Sequence, residues 1–260
     1  MRFLRTFLQE AGRIIRSKRF IFAVIIMTGG LAAGCMGGIV ALVKELSGSA
    51  FKLRWGMAMS FFGSGTESDA AHFVLPICAV LACSCLFIED MTSGFVKAYL
   101  PRTGRATYII VRCLTNALCS ALAVICGMLL FRLLLAAVLT PFSSAPEEGY
   151  SVWKAIRAML PAFALYGSAA MVWSGVGLLL SGLTMNRFST MASPFILFYL
   201  MEIVVSQYLT KAFKLMPSLY LVEYGAYEKA LVPAAVSSIV ALMLLAAFAI
   251  TAAIRIRRQV

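Results

Sequence analysis

The residues that could do chemistry in this chain are few, and their spacing restricts what that chemistry can be. Glu202 is an acid about 18 Å, or some twelve residues, inside an apolar run. An unpaired charge at such depth costs at least about 2.5 to 3.5 kcal/mol, so Glu202 must face protein or water. Two readings stand: it lines a translocation path, or it pairs with a neighbour such as Gln207 or stays protonated. His72 is the one histidine and cannot supply a clustered metal site, and neither H-E-x-x-H nor G-x-S-x-G occurs. No G-x-x-x-x-G-K-[ST] phosphate loop is present, so nucleotide energy must arrive from another subunit and the chain is read as no enzyme of its own. Cys35, Cys78, Cys83, Cys85, Cys113, Cys119 and Cys126 fall mostly in apolar segments, where Cys behaves as a small hydrophobe. Cys83 and Cys85, two apart, project from different sides of a helix and form no metal or redox pair.

The elements that must position these residues follow from composition. The 260 residues are 62% hydrophobic and 13% charged, with a mean hydropathy of +0.91. A soluble domain is usually about 45 to 50% apolar, so the chain is predicted to be an all-α integral membrane protein. A spanning helix needs about 20 mainly apolar residues, and six segments qualify: 20–43, 71–88, 108–139, 158–183, 190–209 and 231–254. With both termini cytoplasmic, Arg2, Arg5, Arg13, Arg16, Lys18, Arg19, Lys97, Arg102, Arg105, Arg112, Arg187, Arg255, Arg257 and Arg258 gather inside. The outer segments then hold the acids Glu45, Glu67, Asp69, Glu147, Glu148, Glu223 and Glu228. The excess of Lys and Arg on cytoplasmic loops favours this orientation and accounts for the +12 net charge without nucleic acid. Gly30, Gly34 and Gly38 repeat every four residues and would let another helix approach closely.

Three non-spanning segments carry a pattern. In residues 2–16, Phe3, Leu4, Phe7, Leu8, Ala11, Ile14 and Ile15 fall on one helical face, opposite Arg2, Arg5, Gln9, Arg13 and Arg16. This predicts an interfacial amphipathic helix whose arginines meet anionic headgroups, or equally a generic topogenic anchor. The loop 89–107 predicts a short helix from Thr92 to Leu100, ended by Pro101, with Phe95, Val96, Tyr99 and Leu100 making an apolar surface for a partner. The alternative is a turn tucked against its own span ends. The loops 44–70 and 140–153 read as polar and too short for a domain, whereas 211–229 is apolar enough to re-enter the outer leaflet where other protein covers its backbone.

Together these features resemble the ABC-2 type transporter permeases, the membrane subunits of bacterial ATP-driven exporters, over essentially the whole chain. The carriers are the amphipathic leader, six spans with both ends inside, and Glu89-Asp90-Met91-Thr92-Ser93-Gly94-Phe95-Val96-Lys97 followed by Pro101-Arg102-Thr103-Gly104-Arg105 and Tyr108. The resemblance implies an elbow helix at 1–19, a six-helix transmembrane domain at 20–260 and a coupling helix docked on an ATPase subunit through Glu89, Asp90, Thr92, Ser93, Gly94, Phe95, Lys97, Tyr99 and Arg102. It further implies a dimer of permeases, two cytoplasmic ATPase subunits that bind the ATP and Mg²⁺, residence in the bacterial cell membrane, and an amphipathic peptide, lipid or drug as substrate. Phe95 departs from the family, which often has Thr or Ser there, and the second inner loop, 185–189, is so short that coupling rests on the first. The rival readings are an ATP-independent carrier or channel, for which Glu202 and Pro194 speak, and a scaffold that merely anchors an ATPase.

Overall fold

The structure, a computed structural model, describes residues 2–46, 57–139, 152–208 and 231–259. Every element among them is a helix: α1 (Arg2–Ile15), α2 (Lys18–Leu46), α3 (Met57–Thr66), α4 (Asp69–Leu81), α5 (Leu86–Thr92), α6 (Phe95–Thr103), α7 (Arg105–Leu139), α8 (Val152–Thr184), α9 (Arg187–Tyr208) and α10 (Leu231–Gln259). Five stretches are long and apolar enough to cross a membrane: Lys18–Ala41, Asp69–Thr92, Arg105–Leu139, Ile156–Thr184 and Ala234–Arg257. That is the character of a multi-pass helical membrane protein. The expected span 190–209 coincides with α9, which is helical but is not one of the five, and the segment 211–229 lies outside the described residues.

Local signals explain where elements begin and end. Ser17 Oγ accepts the Phe20 N–H at 3.2 Å and starts α2, and Ser68 Oγ accepts the Ala71 N–H at 3.3 Å and starts α4. The second span is broken at residues 82–85 into α4 and α5. The short helix expected from Thr92 to Leu100 is shifted: Gly94, at φ 73°, turns the chain between α5 and α6, a backbone state that favours glycine. α6 then passes Pro101 at the sacrifice of one backbone bond and stops at Gly104, whose N–H bonds to the Leu100 carbonyl at 2.9 Å.

Packing centres on α2, α4, α7 and α8, with Met27, Leu31, Leu75, Val124, Met128, Tyr166 and Trp173 buried between them. The repeat on α2 lies at its crossing with α3 and α4. A Cβ on Gly30 would stand 3.0 Å from that of Val74, one on Gly38 would stand 2.9 Å from the Phe61 ring, and one on Gly34 would overlap Ser68. In the described part of the loop 44–70, α3 buries Phe62 and Gly65 against the bundle and the Tyr166 hydroxyl donates to the Thr66 carbonyl, so this part is less polar in effect than its composition suggests. Large apolar side chains on the outward faces, such as Leu133, Leu242, Met243 and Ile250, are exposed and suit a hydrocarbon environment.

α1 carries three stripes rather than two. Thr6 and Ile14 turn into the protein, against α7 among others, Leu4, Leu8 and Ile15 are exposed and apolar, and Arg5, Gln9 and Arg16 are exposed and polar. Part of the face expected to lie in lipid is therefore spent on protein. Arg13, expected among the water-facing arginines, stands at the protein edge.

Candidate functional site

The most concentrated chemistry among the described residues is a knot of ions where α1, α5 and α7 meet. Tyr108 and Arg112, four apart, share one face of α7, and Glu10 and Arg13, three apart, share one edge of α1. Glu89 and Asp90, adjacent on α5, necessarily point in different directions, and only Asp90 is buried. Arg112, 3% exposed, pairs through Nη2 with Asp90, 5% exposed, and through Nη1 with Glu10 Oε2 at 3.4 Å. Arg13 Nη2 reaches Asp90 Oδ1 and Glu10 Oε2, each at 3.3 Å, and Tyr108 donates its hydroxyl to Asp90 Oδ2 at 3.0 Å. Beside the knot, Arg19 holds Glu89 at 2.5 Å while Arg187, at the start of α9, stands 3.8 Å from the same carboxylate.

An aromatic chain connects the knot to α6. Arg13 lies over the Phe95 ring at 5.8 Å, Phe95 stacks on Tyr99 at 4.8 Å, Tyr99 meets Tyr108 edge-on at 6.2 Å, and Arg112 lies over Tyr108 at 5.9 Å. The expected apolar surface of α6 is divided. Val96 and Leu100 are buried with Phe87, Met91, Tyr108 and Ile109 from the chain's own span ends, and Phe95 and Tyr99 are half-buried. The turn at Gly94 folds α6 back onto α5 and α7, so Val96 and Leu100 pack against the chain's own span ends. The exposed residues around the turn are polar: Thr92 at the end of α5, Ser93 in the turn and Lys97 on α6. Thr92 Oγ1 donates to the Ile88 carbonyl at 2.8 Å and Ser93 Oγ to that of Asp90 at 3.4 Å, which stiffens the turn.

The Arg102 and Glu202 side chains lie outside the described residues, although both positions are helical, in α6 and α9. Gly30, Gly34 and Gly38 line the α2 crossing. In the sequence Arg13 counts only toward topology and the polar face of residues 2–16, Arg112 only toward topology and Glu10 toward nothing, yet a signal exists: Arg112 lies inside a predicted span, and a buried arginine needs a carboxylate nearby.

A second polar set joins α7 and α8 at the break between α4 and α5. Ser84 Oγ donates to the Ser174 carbonyl at 3.2 Å and Ser120 Oγ to Ser174 Oγ at 2.8 Å, while Cys83 Sγ donates to the Asn116 carbonyl at 3.3 Å. Asn116 is buried, and its Nδ2 has no hydrogen-bond partner among the described residues. At the end of the bundle, Arg255 Nε donates to the Gly182 carbonyl at 2.5 Å and Nη2 to that of Leu183, a cationic cap on the last turn of α8.

What these sites can do differs. The ion knot ties three helices in one register through shared ion pairs. The serine set binds helices with neutral groups. No family model matches the chain, and no curated protein or solved structure matches it.

Proposed function

We propose that the chain is the membrane subunit of a bacterial ATP-driven exporter of the ABC-2 type, with six spans and both termini cytoplasmic. In this reading two copies, or one copy and a related permease, work with two cytoplasmic ATPase subunits that bind the ATP and Mg²⁺. The substrate is an amphipathic or hydrophobic molecule. The observation that carries the reading is α6: a short helix between two apolar stretches, with a buried base, a polar exposed edge and a direct link through Phe95, Tyr99 and Tyr108 to the ion knot. A push on the exposed edge has only packed side chains to move, so it is passed to α1, α5 and α7 as a unit, the kind of rigid displacement that alternating access needs. Coupling then falls to Thr92, Ser93 and Lys97, with Glu89, Asp90, Phe95 and Tyr99 as support.

The experiment is Lys97→Glu, a change at an exposed position. Insertion and thermal stability should be unchanged, while ATPase activity that co-purifies with the chain and ATP-driven efflux should both fall. Efflux by the purified chain in vesicles containing no ATPase would overturn the proposal. That result would favour a second reading, an ATP-independent carrier, whose support is the broken span at residues 82–85 with Ser84, Asn116 and Ser174 around it.

A further inference from the structure

We propose that the small cavity where α1, α6 and α7 meet holds one structural water molecule, which accepts a hydrogen bond from Arg112 Nε and donates to the Glu10 carboxylate. The cavity measures about 10 Å³ and is lined by Thr6 and Glu10 of α1, Tyr99 of α6, and Tyr108, Val111 and Arg112 of α7. A single water needs about 10 to 15 Å³ of such space, and anything larger is excluded. Arg112 sets the demand. Every nitrogen of its guanidinium is a donor, and the side chain is 3% exposed, with Nη2 spent on Asp90 and Nη1 on Glu10. Nε is buried and has no hydrogen-bond partner among the described residues. A buried donor left unmatched costs stability, and an internal water is the usual remedy where a polar cavity adjoins it.

The lining also supplies what a water donates to. Both arginine contacts of Glu10 are made through Oε2, so its carboxylate keeps lone pairs to spare, and Thr6, Tyr99 and Tyr108 contribute hydroxyls. The Tyr108 hydroxyl spends its proton on Asp90 and still accepts. This mixture selects the ligand. A small anion would meet the Glu10 carboxylate, and a metal cation would meet the Arg112 guanidinium. Water accepts from the one and donates to the other, and about three such bonds are what an internal water makes. The site does not depend on the exporter reading, since the buried guanidinium needs its donors matched whatever the chain transports.

The test is nuclear magnetic resonance on the full chain in micelles with isotope-labelled arginine, the Arg112 Nε–H signal being assigned by its loss in Arg112→Gln. Wild type should show a dipolar cross-peak between that proton and a bound water. Val111→Ile adds a methyl group to a lining residue that is itself buried and should displace the water, so that the cross-peak is lost and the melting midpoint falls by about 2 °C or more. Val111→Ala only enlarges the cavity and should keep the cross-peak. Absence of the cross-peak in wild type overturns the site. So does a cross-peak with the sign of chemical exchange, which would mean contact with bulk solvent, and so does one that survives in Val111→Ile. A Val111→Ile chain that melts at or above wild type overturns it as well, because that is how a dry cavity responds to filling. The cross-peak can fail while ATP-driven efflux persists, so the two proposals fail separately.

Discussion

Asp90→Asn is the sharpest perturbation of this protein. The substitution keeps shape but removes the charge that Arg112, Arg13 and the Tyr108 hydroxyl all address. Removing one partner of a buried ion pair costs about 3 to 5 kcal/mol, because the other charge is left buried. Here Glu10 remains 3.4 Å from Arg112 and 3.3 Å from Arg13, so the lower limit applies, about 3 kcal/mol. For a chain of this size about 1 kcal/mol moves the melting midpoint by about 2 to 4 °C, and the variant should melt about 6 to 12 °C lower. Intrinsic tryptophan fluorescence of the purified chain in micelles reads it, since Trp173 is fully buried. Arg112→Gln should cost about as much, since Arg13 stays 3.3 Å from both Asp90 and Glu10. The double variant should cost less than the sum, because neither charge is then stranded. Strict additivity, or a midpoint within about 1 °C of wild type for Asp90→Asn, would refute the claim that these residues form one energetic unit.

Two further predictions concern the frame around the knot. Gly34→Val should lower the melting midpoint by the equivalent of about 1 to 3 kcal/mol, because its Cβ displaces Ser68, the cap of α4; Gly37→Val, where nothing lies within 4 Å, is the matched control and should be close to neutral, and equal losses would remove the close-approach argument. Arg255→Gln removes a charged donor from the carbonyls of Gly182 and Leu183 and should cost about 1.5 to 3 kcal/mol, read as faster amide exchange in the last turn of α8 than in its middle.

Apolar run length was enough to place five of the spans, because crossing a membrane constrains length and composition so tightly. The turn at Gly94 was harder to read, since Thr92 and Ser93 looked like caps of a single helix and Pro101 like its stop. Which of these signals prevails depends on Val96 and Leu100 finding Phe87, Met91 and Ile109, a tertiary fact that local propensity does not contain. The partners in the ion knot are hidden for the same reason, although Arg112 inside a predicted span signals that one exists. Its members come from α1, α5 and α7, with Glu10 and Arg112 separated by 102 positions, and one sequence holds no sign of which acid a buried arginine will meet. Glu10 also sits at the border of an amphipathic pattern, where it reads as part of a solvated edge. Composition misled at α3, where Ser and Gly residues suggested a polar loop; small residues there are what allow Gly65 to sit against Cys35 and Phe131.

The placement of charge along the bundle bears on mechanism. Arg112 stands seven residues, about 10 Å, past the start of α7, while Asn116 stands about 16 Å past it and bonds only to neutral groups. Charges near the membrane boundary can be exchanged between partners at modest cost, whereas deeper in hydrocarbon each unpaired charge becomes expensive. Arg13 already divides itself between Glu10 and Asp90 at equal distance, so a shift of α5 relative to α1 moves it from one carboxylate to the other without leaving either arginine uncompensated. The hydroxyl contacts that join the break at residues 82–85 to α7 and α8 have no such alternative. In the proposed exporter the end of the bundle that carries α6 can therefore shift with its charges still paired, whereas the serine-linked middle has a single set of partners.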